Sequence, residues 1–107
     1  MHSSLIVARI EPGGDGDVAR LFAEFDRTEM PHLMGTRRRQ LFHFRGLYFH
    51  VQDFDDTDGG ERIEQAKVDT RFMKISDDLK PFIQPYDPAT WRSPADALAT
   101  RFYSWEG

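Results

Sequence analysis

Two strand-like segments, Gly35 to Phe44 and Leu47 to Gln52, are separated only by Arg45-Gly46, which can form a two-residue hairpin turn. Such a turn fixes the register of the two strands. Counted outward from the turn, the register pairs Phe44 with Leu47, His43 with Tyr48, Phe42 with Phe49, Leu41 with His50, Gln40 with Val51 and Arg39 with Gln52. We therefore predict one β-hairpin over this part of the chain.

The register assigns every hairpin residue to one of two faces, because side chains alternate along a strand. The apolar face carries Gln40, Phe42, Phe44, Leu47, Phe49 and Val51. The polar face carries Arg39, Leu41, His43, Tyr48, His50 and Gln52. A solvated face more usually carries Lys, Glu and Thr, so we predict that the polar face lines a cavity.

Length and composition narrow the class of protein. A chain of 107 residues predicts a single domain, 1-107, with one modest core. The formal net charge of −4 argues against nucleic-acid binding, and Arg38 should point away from Arg37 and Arg39 on a strand. The chain has no cysteine and no segment approaching a membrane span, so we expect a soluble cytoplasmic protein.

The remaining elements follow from periodicity. Ser3 to Glu11 and Ala99 to Trp105 are predicted to be the first and last strands. The helical stripes are Val18, Leu21, Phe22 and Phe25, ended by Pro31 and Gly35, and then Val68, Phe72, Ile75 and Leu79, with a break near Asp69-Thr70. The order βαββαβ predicts an α+β, ferredoxin-like sandwich with both helices on one sheet face.

Two helices can cover only one face of a four-stranded sheet. Either they cover the apolar face and the polar face is wet, or the apolar face meets a second subunit. We favour the second arrangement, a homodimer in the form of a dimeric α-β barrel, because a soluble monomer does not tolerate so large an uncovered patch. The polar face would then surround an internal cleft, the usual setting of a ligand site.

Several polar residues can serve as chemical groups in that cleft. Asp26 continues the Phe22 stripe at i+4, so we expect it to pair with Arg39; a purely structural ion pair is the alternative. His43 and His50 are candidates for proton transfer or, alternatively, hydrogen-bonded core histidines. Tyr48 is most simply a packing residue with a satisfied hydroxyl.

Three motif-like stretches fail on spacing. Asp53, Asp55 and Glu64 resemble a calcium loop, but Asp58 stands where a glycine is required. His43 and His50 lack a third ligand at credible spacing for zinc. Gly13 to Gly16 lacks the lysine and the glycine pattern of a phosphate loop. We therefore predict no metal site.

Longer segments resemble the small aromatic-polyketide cyclases of the tetracenomycin F2 cyclase type. These segments are Phe22-Ala-Glu-Phe-Asp26-Arg-Thr-Glu29-Met-Pro31, Gly35-Thr-Arg37-Arg-Arg39-Gln-Leu-Phe, Leu47-Tyr-Phe-His50 and Phe102-Tyr-Ser-Trp105. The resemblance covers nearly the whole chain. It implies a dimer that closes rings of a poly-β-ketone in bacterial antibiotic or spore-pigment biosynthesis, without a cofactor.

The resemblance also implies a site. Asp26, Arg39 and His50 match positions of the family pocket, while Phe25 stands where the tetracenomycin enzyme has His. Arg39 would stabilise an enolate, His50 would transfer protons, and Asp26 would orient Arg39 or act as base. The cavity lining would comprise His43, Tyr48, Phe25, Trp91 and Tyr103.

Two other functions fit the same fold and cleft. One is a cofactor-free anthrone-type monooxygenase, and the other is a non-catalytic chaperone that shelters a polyketide. The cyclase-like motifs favour ring closure over both. Beyond the substrate and a second copy of the chain, we expect transient contact with polyketide synthase components.

Overall fold

The computed structural model describes residues 2–55, 65–92 and 94–107. The elements are β1 (His2–Ile10), α1 (Asp15–Asp26), α2 (Met30–Met34), β2 (Thr36–Phe44), β3 (Leu47–Phe54), α3 (Thr70–Leu79), β4 (Ile83–Pro85) and a 3-10 turn (Pro94–Ala97). The strands form one antiparallel sheet in the order β2-β3-β1-β4. This architecture confirms the ferredoxin-like α+β fold, with the short helix α2 as an addition.

The hairpin forms in the predicted register. Arg45 and Gly46 both have positive φ, 49° and 82°, as a tight hairpin turn of type I′ requires. All six predicted cross-strand pairs are present, from Phe44 with Leu47 to Arg39 with Gln52. The two-residue turn therefore sets the face of every hairpin residue from Arg39 to Gln52.

A β-bulge interrupts the ladder beyond Arg38. The register shifts between Thr36 and Arg38, which leaves Arg37 as the extra residue. Arg37 forms an exposed ion pair with Asp55 at 2.8 Å, and Arg38 is also exposed. The arginine side chain at 39 is buried instead, so the three arginines do not form one basic patch, as predicted.

The core lies between the helices and the polar face of the sheet. Its buried cluster contains Val18, Phe22 and Phe25 of α1, Ile75 of α3 and Tyr48 of β3. His50 and Gln52 are also buried on this face. The helices therefore cover the polar face, which confirms the orientation that the sequence favoured.

The apolar face lies on the other side of the sheet. Phe42 and Phe44 are 51% and 60% exposed in the single chain, and Leu47, Phe49 and Val51 are half-buried. Phe42 and Phe49 are cross-strand partners, so the exposed rings form one continuous surface with their neighbours.

The last strand was predicted at the wrong place. Residues Ala99 to Trp105 were expected to close the sheet, but the closing strand is β4, which pairs with Ala8 to Ile10 of β1. The strand is only three residues long and ends in Pro85, a residue that an edge strand can accept. Leu98 makes one isolated bridge to Ile6, after which the terminal segment is not a strand.

Two helix boundaries also differ from the prediction. Asp69 caps α3 by accepting a hydrogen bond from Arg71 N at 2.8 Å, which confirms the predicted break near Asp69-Thr70. Val68, predicted as part of the helical stripe, therefore lies outside the helix and is exposed. Pro31 does not end α1; it stands in the first turn of α2, and Gly35, with a φ of 75°, caps α2.

Two residues of the rejected calcium motif, Asp58 and Glu64, lie outside the described residues. In the part of the chain that the structure describes, no helix has the length and apolar character needed to cross a membrane.

Candidate active site

Asp26 and Arg39 form a bidentate ion pair under the end of α1. Arg39 Nε donates to Asp26 Oδ1 and Oδ2 at 3.2 and 3.1 Å, and Arg39 Nη2 donates to Asp26 Oδ1 at 3.0 Å. The arginine side chain is 7% exposed and the aspartate side chain 37%. The predicted pair is therefore present, with its cation buried and its carboxylate partly open to solvent.

His50 contacts the same guanidinium from the neighbouring strand. Arg39 Nη1 and His50 Nε2 are 2.9 Å apart. Because a guanidinium can only donate, Nε2 is the acceptor, and a neutral ring then carries its proton on Nδ1. Burial and, secondarily, the charge of Arg39 lower the pKa of His50 to about 3, so the imidazole is neutral at neutral pH.

Aromatic rings enclose the cation. The Arg39 guanidinium carbon lies 4.8 Å from the ring centre of Phe22 and 5.7 Å from that of Phe25. The Phe22 ring also meets His50 edge to face at 5.2 Å. The rings exclude water from the guanidinium, and the attraction between a cation and a ring face is stronger where water is excluded.

Tyr48 stands next to His50 on β3, with ring centres 6.2 Å apart. Burial raises the pKa of the Tyr48 phenol well above its ordinary value, and the charge of Arg39 opposes that rise only in part. Tyr48 is therefore a neutral wall residue rather than a phenolate base.

The arrangement leaves part of the guanidinium free for a ligand. Arginine has five N–H groups, and the contacts with Asp26 and His50 engage one each on Nε, Nη1 and Nη2. Among the described residues, one N–H on Nη1 and one on Nη2 have no hydrogen-bond partner. A fixed, desolvated cation with free donors is suited to binding a carbonyl oxygen or an enolate.

The other predicted lining residues lie elsewhere. His43 donates from Nδ1 toward Asp15 Oδ2 at 3.0 Å and accepts from Gly46 N at 3.1 Å, so it fastens the start of α1 to the hairpin turn. Trp91 comes after β4 in the chain, and β4 is the edge strand farthest from β2. Tyr103 is in the exposed terminal segment. Phe25 and Tyr48 do line the group around Arg39; Trp91 and Tyr103 have no described contact with it.

Sequence reasoning missed the pair Gln52 and Thr36. Gln52 is 4% exposed, and its Nε2 donates to Thr36 Oγ1 at 2.7 Å. The predicted register already placed Gln52 opposite Arg39, which was the available signal. The β-bulge that brings Thr36 to the same face has no sequence marker.

No three His, Asp or Glu side chains cluster as metal ligands within the described residues. The polar groups gathered at the site are instead a carboxylate, a guanidinium, a neutral imidazole and an amide.

Comparison with known proteins gives a consistent result. A family model described as polyketide synthesis cyclase matches residues 2–106. The chain is 47% identical over 107 residues to an uncharacterised protein of Streptomyces coelicolor, covering 99% of this chain and 96% of that protein. It is 42% identical over 106 residues to a Streptomyces cyaneus protein named polyketide synthase CurG, covering 99% and 98%.

A third relative has a solved structure. Tetracenomycin F2 cyclase of Streptomyces glaucescens is 38% identical over 104 residues, covering 97% of this chain and 94% of that protein. Its structure superposes with a TM-score of 0.91, covering 100% of this chain and 99% of the other. The likeness thus extends over the whole fold and includes the segments that form the site.

The neutral state of His50 predicts a pH-dependent stability. In the unfolded chain the imidazole has its ordinary pKa near 6.5, so between about pH 6.5 and 3 the unfolded state binds one more proton than the folded state. The free energy of unfolding should therefore fall with falling pH, by at most about 1.4 kcal/mol per pH unit from this residue.

Urea unfolding at pH 7.5 and pH 5 tests this expectation. Wild type should lose up to about 2 kcal/mol more than His50→Gln over this interval. His32→Gln, which removes an exposed histidine of α2, is the matched control and should lose as much as wild type. Equal losses in wild type and His50→Gln would contradict a neutral buried imidazole.

Proposed function

The chain belongs to the polyketide synthesis cyclase family, and from this premise we propose that it closes a ring of a poly-β-ketone by aldol condensation and dehydration. The observation that carries the proposal is the buried cation of Arg39, held between a carboxylate and a neutral imidazole. Such a group can steady negative charge on oxygen without itself exchanging a proton.

The substrate class suits these groups. A methylene between two carbonyls is already acidic, because its carbanion is delocalised as an enolate. Ring closure therefore needs a modest base, a cation at the developing enolate oxygen, and a cavity that selects one folding of the chain. All three requirements correspond to features around Arg39.

We assign the base to Asp26. Its carboxylate is partly exposed and keeps a free lone pair beside its three bonds from Arg39, whereas the single Nε2 lone pair of His50 is already used by Arg39. Asp26 takes a methylene proton, the enolate carbon attacks a carbonyl carbon, and the protonated Asp26 gives its proton to the new alkoxide. Loss of that hydroxyl with a neighbouring proton, as water, completes the step without any change of oxidation level.

His50 and the aromatic rings then have supporting roles. His50 fixes the orientation of Arg39 Nη1, while Phe22, Phe25 and Tyr48 shape the cavity and exclude water. This assignment retains Asp26, Arg39 and His50 as the site and changes the role of His50 from proton transfer to positioning.

The proposal further includes the setting of the reaction. We infer a cytoplasmic enzyme of antibiotic or spore-pigment biosynthesis that meets polyketide synthase components transiently. The support is the family and the synthase named among its relatives. The reactive chain must be passed on quickly, since a free poly-β-ketone cyclises in many ways.

Ring closure and oxidation predict different products. We expect metal-stripped protein, in a sealed cell with a polyketide-forming system, to give a product lighter than its substrate by one water, with no oxygen uptake. A heat-denatured sample of the same protein is the control for spontaneous cyclisation. Stoichiometric oxygen consumption with a quinone product would replace the cyclase by a monooxygenase. An unchanged product profile with retained binding would indicate a chaperone.

The site assignment predicts an order of activity losses. Asp26→Asn should lower kcat by about 100-fold or more, as expected for removal of a general base. Arg39→Ala should lower kcat/KM more than Arg39→Lys, which keeps the charge but loses the planar fork. Arg37→Ala removes an arginine of the exposed pair with Asp55 and should leave activity unchanged.

Melting temperatures must accompany those assays, because breaking a buried pair can unfold the protein. If folded Asp26→Asn, Arg39→Ala and His50→Gln all lose little activity and to the same degree, the shape of the cavity and not these residues accounts for the rate acceleration.

We also propose that two copies associate through the apolar face. Phe42 and Phe44 are more than half exposed beside half-buried Leu47, Phe49 and Val51, and soluble monomers rarely leave a contiguous apolar patch open to water. A self-complementary face of this kind suits a two-fold dimer. The polar face is already covered by the helices, so dimer formation leaves the site on the opposite side of the sheet.

Light scattering after size exclusion should show two chains per particle. Phe49→Asp should give monomer or aggregate, because it places a charge in the centre of the apolar face. Val68→Asp adds the same charge at an exposed apolar residue away from that face and should stay dimeric. A folded wild-type monomer would overturn the proposed interface.

A further inference from the structure

Gln52 is a buried amide on the same sheet face as Arg39, and the proposed ring closure gives it no role. It is the direct cross-strand partner of Arg39 and lies two residues from His50 on the same face of β3. Its side chain is 4% exposed. A buried amide costs folding free energy unless it is hydrogen-bonded, so an apolar residue would fill this space at a lower cost in folding free energy.

The backbone is shaped to hold this amide. Thr36 and Arg39 are three residues apart, and regular alternation would place them on opposite faces. The bulge at Arg37 brings both to the polar face, where Thr36 Oγ1 accepts from Gln52 Nε2 at 2.7 Å. Bulges commonly re-aim a side chain next to a functional site.

That one bond uses a quarter of the hydrogen-bonding capacity of the amide. A glutamine side chain has two N–H donors and a carbonyl oxygen with two lone pairs. The Thr36 hydroxyl fixes the plane of the amide, and one N–H can still be offered to an oxygen atom near Arg39. Gln52 is thus oriented by a residue that is itself outside the Asp26, Arg39 and His50 group.

Arg39 and Gln52 belong to a row of polar residues that crosses the sheet from strand to strand and continues onto β1. Ser4 of β1 pairs with Gln52, so Arg39, Gln52 and Ser4 lie side by side across three strands on the polar face. Neighbouring strands are about 5 Å apart. In a poly-β-ketone every second carbon is a carbonyl, and carbonyl carbons four bonds apart are also about 5 Å apart in an extended chain.

We propose that Gln52 is a specificity-determining residue, whose amide binds a second carbonyl oxygen of the polyketide while Arg39 binds the reacting one. The proposal rests on the proposed function and extends it. With two oxygens held at neighbouring positions of the row, the chain is bound in one register, and the register decides which methylene reaches Asp26. Gln52 therefore influences which ring closes, without touching the atoms that react.

Binding of two stable probes separates this role from catalysis. The probes are 1-phenylbutane-1,3-dione and 1-phenylhexane-1,3,5-trione, which differ by one ketide unit. Wild type should bind the triketone about 10-fold more tightly than the diketone, the gain expected from one added hydrogen bond in a desolvated site. Calorimetric titration of both probes measures the ratio.

Substitutions then identify the residue responsible. Gln52→Leu should bring the ratio of affinities close to one while keeping the diketone affinity. Gln52→Met, which is closer in shape, is the second variant if Leu disturbs folding. Gln84→Leu removes an exposed strand glutamine that bonds Lys80 O, and it should keep the wild-type ratio.

A structural role for Gln52 gives a different pattern. If Gln52→Leu and Thr36→Val lower the melting temperature and the affinities for both probes equally, the amide only supports the bulge and the proposal is wrong. A wild-type ratio near one, or a ratio that survives in Gln52→Leu, overturns the inference but leaves the cyclase proposal standing. If wild type binds neither probe, both proposals fall.

Turnover provides a second readout in the polyketide-forming system. In Gln52→Leu we expect a changed ratio of ring-closure products, with KM affected more than kcat. Asp26→Asn should instead lower kcat without changing the ratio of the products that still form. An unchanged product ratio in an active Gln52→Leu enzyme would again contradict register selection.

Discussion

Burial of the Arg39 guanidinium is the interaction on which the rest of the site depends. Moving a cation out of water costs several kcal/mol unless charge and hydrogen bonds compensate. Here a carboxylate neutralises it on one side, an imidazole nitrogen accepts from another, and ring faces cover it at 4.8 and 5.7 Å. The compensation comes from α1 and β3, so the cation can be buried only when both elements pack against β2.

This dependence explains the electrostatic state of the neighbours. A second cation on His50, 2.9 Å from the buried Arg39 guanidinium, is unfavourable, and as the acceptor of an arginine N–H its Nε2 carries no proton. The only described carboxylate in contact with the cation is Asp26, at the open end of the group. In the proposed mechanism the neutral imidazole therefore orients the cation, and the partly exposed carboxylate transfers the proton.

Helix α1 is fastened at both ends to the edge strand. At its start, Asp15 contacts His43, and at its end, Asp26 contacts Arg39. Between these contacts, Phe22 packs against both the cation and His50. The helix therefore holds Phe22 and Asp26 in place around the cation before any substrate arrives, which is the preorganisation that charge stabilisation requires.

The sequence predicted the parts of the structure that depend on short-range periodicity. A two-residue turn fixed six strand pairs, and the helical period of α1 placed Asp26 over Arg39. The bulge at Arg37 was not predictable, since no glycine marks it. The terminal segment is rich in aromatic residues, as strands are, but β1 offers its edge at Ala8 to Ile10 to β4 instead. The neutral protonation state of His50 was also not predictable, because it depends on contacts of β3 with both β2 and α1.

The same two strands build the site and the surface on which we propose that the dimer forms. Alternate residues of β2 and β3 point to opposite faces, so Arg39 and His50 share a backbone with Phe42 and Phe49. A slip of one residue would exchange the faces, exposing the cation and burying the phenylalanines. In the proposed dimer, packing of the apolar face would restrain the backbone that positions the guanidinium. The proposed association and the proposed catalysis would then be coupled through the register of one hairpin, although the apolar side chains and the Arg39 guanidinium lie on opposite faces of the sheet.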